Sequence, residues 1–252
     1  MYLILTDETN TNTEQSTFFL IGGIAVPDKA VGEIHRAVES IRNQYGYQIT
    51  DSFKYSRADK PEQIGNEAFN AAKSAALDLF AKHQIKIFLY ACHHLIAKNR
   101  TPEEKFQWGN NATLWLAQSF LEENNDFAWV LQDRHPVGKE FEYYKARFRH
   151  SANSATGVTH KLRNIVGFGS TCDGASHLSA LADIALGSYR FCINHQDKDV
   201  VNGLLMPRLL AATWGFPTPM DKGFGIFPKN VFKSVCIADY QKLRAHIVKY
   251  CA

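Results

Sequence analysis

The chain opens with Tyr2-Leu3-Ile4-Leu5-Thr6-Asp7-Glu8-Thr9, and after a polar stretch it continues with Phe18-Phe19-Leu20-Ile21-Gly22-Gly23-Ile24-Ala25-Val26-Pro27. Both apolar runs have the length of strands and a proline ends the second, so together they predict a β-hairpin. No basic residue precedes the first run and two acids close it, so we expect a strand there and not a signal peptide.

Beyond the hairpin, segments with helical periodicity alternate with buried apolar runs. The periodic segments predict helices at residues 28–45, 62–82, 102–122, 139–150 and 176–193. The other segments predict strands at residues 48–56, 85–91, 127–132 and 164–167. Strands that alternate with helices after a hairpin predict an α/β fold in which helices cover a mixed sheet.

Residues 200–252 have a different pattern. They contain Trp214-Gly215-Phe216-Pro217-Thr218-Pro219 and Gly223-Phe224-Gly225, which favour irregular structure. We interpret them as a small irregular cap with a final helix near residues 240–250. The chain is therefore predicted to be one α/β domain over residues 1–199, with residues 200–252 as a C-terminal cap packed on the same domain.

The composition is that of a globular protein, with 45% hydrophobic and 21% charged residues. A formal net charge of +3 is too small to indicate nucleic-acid binding without a local cluster. The five cysteines are widely spaced and include no Cys-x-x-Cys, which favours reduced thiols and a cytoplasmic protein. No apolar run approaches the roughly 20 residues of a membrane span, so we expect no membrane partner.

Three aspartates stand where a functional site could form. Asp7 comes at the end of the first strand, Asp133 follows a central strand, and Asp183 is the one acid in a helix of Leu, Ala, Ile and Gly. The ends of buried strands lie at the rim of a sheet, where sites assemble. A carboxylate on so apolar a helix is costly to bury unless a metal ion or a cationic partner neutralises it.

Each of these residues also has an ordinary explanation. An acid after a strand is commonly a turn residue, and a lone acid in an apolar helix can pair with a buried Lys or Arg. Only the three aspartates together favour a site. Glu8 is either an auxiliary ligand or a solvated neighbour, because adjacent strand residues face opposite ways. Lys54 is either an exposed lysine or a contact to phosphate or attacking water.

Two motifs carry a resemblance to a known family. The strand with Asp7-Glu8, followed by the apolar strand with Gly22-Gly23 and Pro27, resembles the opening of the domain of unknown function 3800 family. Residues 176–185, with Leu181-Ala182-Asp183, resemble that family's Ser-x-x-Leu-Gln-Leu-Ala-Asp helix, although Ala180 replaces the Gln. Lys54 and Asp133 match a lysine after the first long helix and an aspartate that ends a central strand. The resemblance spans about residues 1–195.

The resemblance implies a ribonuclease H-like fold and a metal-dependent nuclease, in a family often encoded beside mobile-element or phage-defence genes. It implies that Asp7, Asp133 and Asp183 are catalytic metal ligands with Glu8 as an auxiliary, and that Lys54 is a further catalytic residue. Cys172-Asp173 stands where the family has Asp-Ser, so Asp173 is the residue that could complete hydrogen bonding around Asp183.

The residue types fit one class of cofactor. Aspartates from separate elements, without a His/Cys cluster, suit Mg²⁺ or Mn²⁺ better than Zn²⁺. Two such cations can activate a water and stabilise the leaving oxygen of a phosphodiester. We therefore expect Mg²⁺ or Mn²⁺ as cofactor.

A basic segment supports a nucleic-acid partner, whether RNA or DNA. Phe141, Tyr143, Tyr144 and Phe148 are interleaved with its cations, a mixture that suits phosphates and stacked bases. The alternative is an ordinary amphipathic helix with a solvated cationic face. The predicted nucleic-acid-binding residues are Lys139, Lys145, Arg147, Arg149, Lys161 and Arg163.

Other motifs are weaker. Cys92-His93-His94 lacks the second ligand pair of a zinc site, and Gly167-Phe168-Gly169-Ser170 lacks the rest of a phosphate loop, so we interpret it as a flexible turn. The leading hypothesis is metal-dependent phosphodiester hydrolysis of nucleic acid. The alternatives are a non-catalytic module that binds nucleic acid or a partner protein of a defence complex, and a hydrolase of small phosphate esters. Whether the chain forms a homo-oligomer stays open.

Overall fold

A mixed six-stranded sheet is the centre of the computed structural model, which describes residues 1–9, 16–133, 140–153, 159–172, 174–227 and 234–251. The strand order is β7-β4-β1-β2-β3-β8, and β5 pairs with β6 in a separate two-stranded ladder. The strands are β1 (Tyr2–Thr9), β2 (Phe18–Pro27), β3 (Lys86–His93), β4 (Ala128–Gln132), β5 (Ala152–Asn153), β6 (Thr159–His160), β7 (Ile165–Ser170) and β8 (Phe224–Phe227).

The predicted hairpin is present and sets the direction of the other strands. β2 is antiparallel to β1 and to β3, while β1 is parallel to β4, β4 to β7, and β3 to β8. Because β1, β4 and β7 run the same way, their carboxyl ends lie at one edge of the sheet. All ten residues of β2 are buried, as expected for a central strand covered on both faces.

Helices cover both faces of this sheet. Leu5 of β1 faces a core with α1, α2, α5 and α6, whereas the adjacent Ile4 faces a second core with α3. This alternation follows from the two-residue period of a strand. The helices are α1 (Val31–Gln44), α2 (Asn66–Lys82), α3 (Pro102–Glu123), α4 (Glu140–His150), α5 (His177–Asn194), α6 (Asp199–Ala212) and α7 (Ser234–Lys249).

The predicted α/β class is confirmed, because a mixed sheet is flanked by helices. Residues 200–252 are more regular than their sequence suggested, since they contribute most of α6, the edge strand β8 and the whole of α7. The hydrophobic periodicity of α6 is weak, since its apolar residues are not confined to the buried face: Val200, Val201 and Leu204 are exposed. The division into a domain over residues 1–199 and a cap over residues 200–252 stays a prediction.

Two local predictions are wrong. Residues 48–56 form no strand; instead Arg42 Nη2 donates to the Gln48 and Asp51 carbonyls at 2.7 and 2.9 Å, and the segment is held as a turn. The supposed flexible turn at residues 167–170 belongs to β7. Gly167 is needed there for close packing, because a Cβ at this position would overlap the ring of Trp129 on β4.

The cysteines and the helices bear on two further expectations. None of the five cysteines, all of which the structure describes, forms a disulfide, and three of them are buried. Among the described residues, we find no helix that combines the length and the apolar character of a membrane span.

The contact between α3 and β2 gives a test of the fold. A Cβ at Gly109 of α3 would overlap the Ile21 side chain of β2, whereas Gly203 of α6 has open space around its Cα. We expect Gly109→Ala to lower the free energy of unfolding by about 1–3 kcal/mol through overpacking. Gly203→Ala, the matched helical control, should raise it by up to about 1 kcal/mol. Urea denaturation measures both, and equal effects of the two substitutions would contradict this packing.

Candidate active site

The carboxyl ends of β1 and β4 bring Asp7 and Asp133 side by side. The strands are paired so that Thr6 lies beside Gln132, one residue before each aspartate. The Asp133 N–H donates to the Thr6 carbonyl at 3.1 Å, which joins the two segments at this edge. A small cavity here is lined by Leu5, Thr6, Asp7, Asp133, Thr171, Ser179 and Ala182.

Buried polar contacts fix the end of β4 behind these aspartates. Gln132 Nε2 donates to Asn110 Oδ1 at 2.6 Å, and Asn110 Nδ2 donates to the Tyr143 hydroxyl at 2.9 Å. The chain of contacts joins β4, α3 and α4. The next residue of α4, Tyr144, has a raised pKa mainly because of burial, and the nearby Asp133 carboxylate adds to the rise. The network therefore holds α4 next to Asp133.

Asp183 reaches the same region from α5, which packs across β1 and β2. Ala182 and Ser179 of α5 line the cavity of Asp7 and Asp133. Asp183 itself is partly buried, and its Oδ2 accepts a hydrogen bond from the Tyr55 N–H at 2.6 Å. Asp183 thus lies between the strand ends and the 53–56 segment.

The pKa of Asp7 shows that the acids interact. Burial raises it well above its usual value of 3.8, and repulsion from Asp183, Asp133 and Glu8 raises it further. The Glu8 N–H, which donates to Asp7 Oδ1 at 2.8 Å, opposes the rise but does not cancel it. Three aspartates far apart in the sequence therefore lie within electrostatic reach of one another.

The donor chemistry of this cluster fits a hard divalent cation, since carboxylate oxygens are the ligands that Mg²⁺ and Mn²⁺ prefer. A cation would also relieve the repulsion that raises the pKa of Asp7. Among the described residues, however, no three His, Cys, Asp or Glu side chains are arranged to hold a metal ion together. The aspartates would have to draw closer for one cation to contact all three.

Glu8 and Lys54 take different places around this cluster. Glu8 is the neighbour of Asp7 on β1 and adds to the repulsion that Asp7 experiences. Lys54 precedes Tyr55, whose N–H binds Asp183, and it lines a cavity together with Asp183. Both residues lie near the aspartates, while Asp173 falls outside the described residues.

Lys73 of α2 is a cation near Asp183 that the sequence reasoning missed. Its ammonium donates to the Tyr55 carbonyl at 3.3 Å and lies over the rings of Phe69 and Tyr55 at 4.1 and 4.5 Å. The pKa of Lys73 is lowered to about 8, mainly by burial and in addition by Arg57, while Asp183 opposes the change. A signal existed: Lys73 is the only charged residue between Glu67 and Asp78.

The predicted nucleic-acid-binding residues are partly described. Lys145 and Arg149 are exposed on α4, and Lys161 and Arg163 are exposed before β7. Arg147 is turned inward, with its guanidinium 4.5 Å from the Tyr143 ring, and Lys139 lies outside the described residues. α4 packs on β7. Lys145 and Arg149 therefore lie on the helix that packs on β7. Lys161 and Arg163 precede β7, whose first residue pairs with Ala128 at the end of β4 opposite to Asp133.

The aromatic residues of α4 divide between the core and the surface. Tyr143 and Tyr144 are buried, and Tyr144 stacks on Phe168 of β7 with ring centroids 6.3 Å apart. Phe141 and Phe148 are exposed, which leaves two rings free for stacking with bases.

The Cys92-His93-His94 run is part of the packing. Cys92 and both histidines are buried, and His93 Nε2 lies 3.0 Å from Asp239 Oδ2 of α7. The His93 N–H donates to the Tyr240 hydroxyl at 3.0 Å. These contacts join β3 to α7.

Comparisons with known proteins concern the fold only. No protein-family model matches the chain, and neither does any curated protein. RNase HII of Archaeoglobus fulgidus, solved in complex with PCNA, is similar with a TM-score of 0.45 and 9% identity, over 100% of this chain and 93% of that one. A mutant Bst-RNase HIII is similar with a TM-score of 0.40 and 12% sequence identity. Bst-RNase HIII in complex with Mn²⁺ is similar with a TM-score of 0.39 and 11% sequence identity. This chain covers 64% of each Bst-RNase HIII chain.

The repulsion at Asp7 has a measurable cost for stability. Because its folded pKa is raised, the unfolded chain loses this proton first, and stability falls as pH rises above 3.8 until the folded pKa is passed. We expect Asp7→Asn without divalent cations to raise the free energy of unfolding by about 1 kcal/mol at neutral pH, or roughly 2–4 °C in Tm.

Thermal unfolding in chelator at several pH values measures this effect, with Asp59→Asn on the exposed 57–59 turn as the control. The advantage of Asp7→Asn over wild type should grow with pH, while Asp59→Asn should show none. A wild type that is the more stable protein at every pH would contradict the repulsion.

Proposed function

We propose that this chain hydrolyses phosphodiester bonds of nucleic acid with divalent cations held by Asp7, Asp133 and Asp183. The observation that carries the proposal is the convergence of three carboxylates: strand pairing places Asp7 beside Asp133, and α5 brings Asp183 near enough that, in addition to burial, it raises the pKa of Asp7. Like charges that are held close together at a partly buried edge lower the stability of the folded chain. A cation-binding role accounts for their retention.

The bound cation and the residues around the aspartates have different roles in the proposed reaction. Bound Mg²⁺ or Mn²⁺ supplies an activated water and stabilisation of the leaving oxygen. Glu8 is an auxiliary carboxylate, and Lys54 contacts the phosphate or the attacking water. Lys73 supports the 53–56 segment through the Tyr55 carbonyl, and so acts on Asp183 through the Tyr55 N–H.

Exposed cations contribute to binding of the strand. The proposed strand-binding residues are Lys139, Lys145, Arg147, Arg149, Lys161 and Arg163. Lys145 and Arg149 are exposed on α4, which packs on β7, and Lys161 and Arg163 are exposed before β7. Each phosphate that they neutralise releases counterions, so affinity should fall with salt. Phe141 and Phe148 add stacking surfaces that are independent of sequence.

The family, the biological association and the cellular compartment of the chain are part of the same proposal. The hairpin and the Asp183 helix motif support membership of the domain of unknown function 3800 family, and with it an association with phage defence or mobile elements. The unpaired cysteines agree with a reducing cytoplasm.

A second candidate function is a module that binds nucleic acid or a partner protein without cutting. One observation in its favour is that Asp183 Oδ2 already accepts a hydrogen bond from the Tyr55 N–H. The other is that no three acids among the described residues are close enough together to hold one metal ion.

Removal of two carboxylates tests the nuclease. We expect an Asp7→Asn, Asp183→Asn double variant to lose Mn²⁺-dependent cleavage of labelled RNA and DNA by at least about a hundredfold, because even indirect metal supports contribute 10–100-fold. Asp59→Asn with Asp197→Asn removes the same charge at two exposed positions and should leave cleavage unchanged. Cleavage that survives in the first variant would refute the assignment, and competition by small phosphates instead of oligonucleotides would identify a small-ester hydrolase.

Cation binding separates the two candidate functions. A cation that binds only the folded chain stabilises it by about 2.7 kcal/mol at a hundred times its Kd, which is roughly 5–10 °C in Tm. We expect Mn²⁺ to produce such a shift in wild type and little shift in Asp7→Asn. Equal shifts in both proteins would favour the non-catalytic module.

A further inference from the structure

A groove of about 310 Å³ adjoins the aspartates on the side of the 49–54 segment. Ser179 of α5 lines both this groove and the small cavity of Asp7 and Asp133, so the two spaces are neighbours. We call it the Arg42 groove. Its principal lining residues are Arg42, Ser52, Lys54, Ser176, Ser179 and Asp183.

Arg42 is a buried cation that forms no ion pair within the described part of the chain, although the carboxylates of Asp51 and Asp183 line the same groove. It is 8% exposed, and only its Nη2 is used for the two carbonyl hydrogen bonds to Gln48 and Asp51. Its guanidinium also lies 5.5 Å from the Tyr47 ring. Burial of a charge is costly unless an opposite charge meets it, so the groove is suited to an anion.

Asp51, an acid that lines the groove, is already engaged in hydrogen bonds of its own turn. Asp51 Oδ2 accepts hydrogen bonds from the Gln48 N–H and from Gln63 Nε2, both at 2.6 Å. Asp51 contributes its carbonyl to Arg42, and its carboxylate closes the turn instead. The guanidinium therefore keeps N–H donors for a ligand in the groove.

Two other features of the groove favour the same charge. Lys54 lines it, and so does the first turn of the 18-residue helix α5. At this helix terminus the Ser176 side chain accepts one hydrogen bond, from the Leu178 N–H at 3.1 Å. The N-terminus of a helix carries a partial positive charge, which attracts anions. A fork of guanidinium N–H groups matches phosphate oxygens in particular.

We propose that the Arg42 groove binds a phosphate group of the nucleic-acid strand next to the one that is cleaved. The inference rests on the proposed function and adds the position of the nucleic-acid strand relative to the aspartates. The volume of the groove is at the lower limit for small-ligand pockets, which suits one nucleotide unit. The bound phosphate is either the terminal phosphate of a strand or an internal one, and in both cases it positions the adjacent phosphodiester beside Asp183.

A charge inserted at the rim tests the groove without disturbing the core. Ser52 is exposed and lines the groove, whereas Ala58 is exposed and lies outside it. We expect Ser52→Glu to weaken binding of a short single strand by about tenfold, because it repels a phosphate and opposes one charge-assisted contact. Ala58→Glu adds the same charge nearby and should leave affinity unchanged.

Fluorescence anisotropy in chelator measures this binding for 5′-phosphorylated and 5′-hydroxyl strands of the same sequence. If only the phosphorylated strand is weakened by Ser52→Glu, the groove holds a terminal phosphate; if both are weakened, it holds an internal one. Arg42→Lys keeps the charge but loses the fork of guanidinium N–H groups, so it should weaken binding of the same strand and leave the salt dependence close to that of wild type. Equal affinities of Ser52→Glu, Ala58→Glu and wild type would overturn the proposal.

The design separates this inference from the proposed function. Strand binding in chelator needs no cation, so a loss in Ser52→Glu supports the groove even if the Asp7→Asn, Asp183→Asn variant still cleaves. Conversely, wild-type cleavage that is abolished in the double variant and unchanged in Ser52→Glu would support the nuclease and reject the groove.

Discussion

The parallel pairing of β1 with β4 is the constraint on which the candidate site depends. It places Thr6 beside Gln132 in the last pair of the two strands, and because the next residue of each segment is an aspartate, Asp7 lies near Asp133. The repulsion that results is a property of strand register and not of a flexible loop. A shift of one residue would turn both side chains to the opposite face of the sheet.

Helix α5 joins this sheet edge to the rest of the surface. Its residues Ser179 and Ala182 line the cavity of the strand ends, its Asp183 binds the Tyr55 N–H, and its first turn lines the Arg42 groove. Gly187, one turn further along, allows Tyr55 to pack against the helix, since a Cβ there would overlap the ring. A single rigid element thus fixes the third aspartate and the 53–56 segment together.

Much of the fold could be predicted from sequence because it is local in origin. The hairpin and β4 are short buried apolar runs, and strand ends next to Asp7 and Asp133 can be recognised without tertiary information. Residues 48–56 resembled a strand because their side-chain pattern does not reveal that Arg42, six residues upstream, binds the Gln48 carbonyl. Lys73 was missed because its relation to Asp183 arises only when α2 packs against α5.

The two unusual electrostatic features of the molecule are complementary. The aspartate cluster has excess negative charge, and the Arg42 groove beside it holds a buried guanidinium with N–H donors left for a ligand, with Asp183 and Ser179 at their boundary. A cation at the first and a phosphate at the second would each remove a cost of the free protein. Because a phosphate next to the cluster adds negative charge there, it strengthens cation binding, and linkage requires the converse. Substrate and cation are therefore expected to bind cooperatively, and neither feature needs a separate explanation once both are considered together.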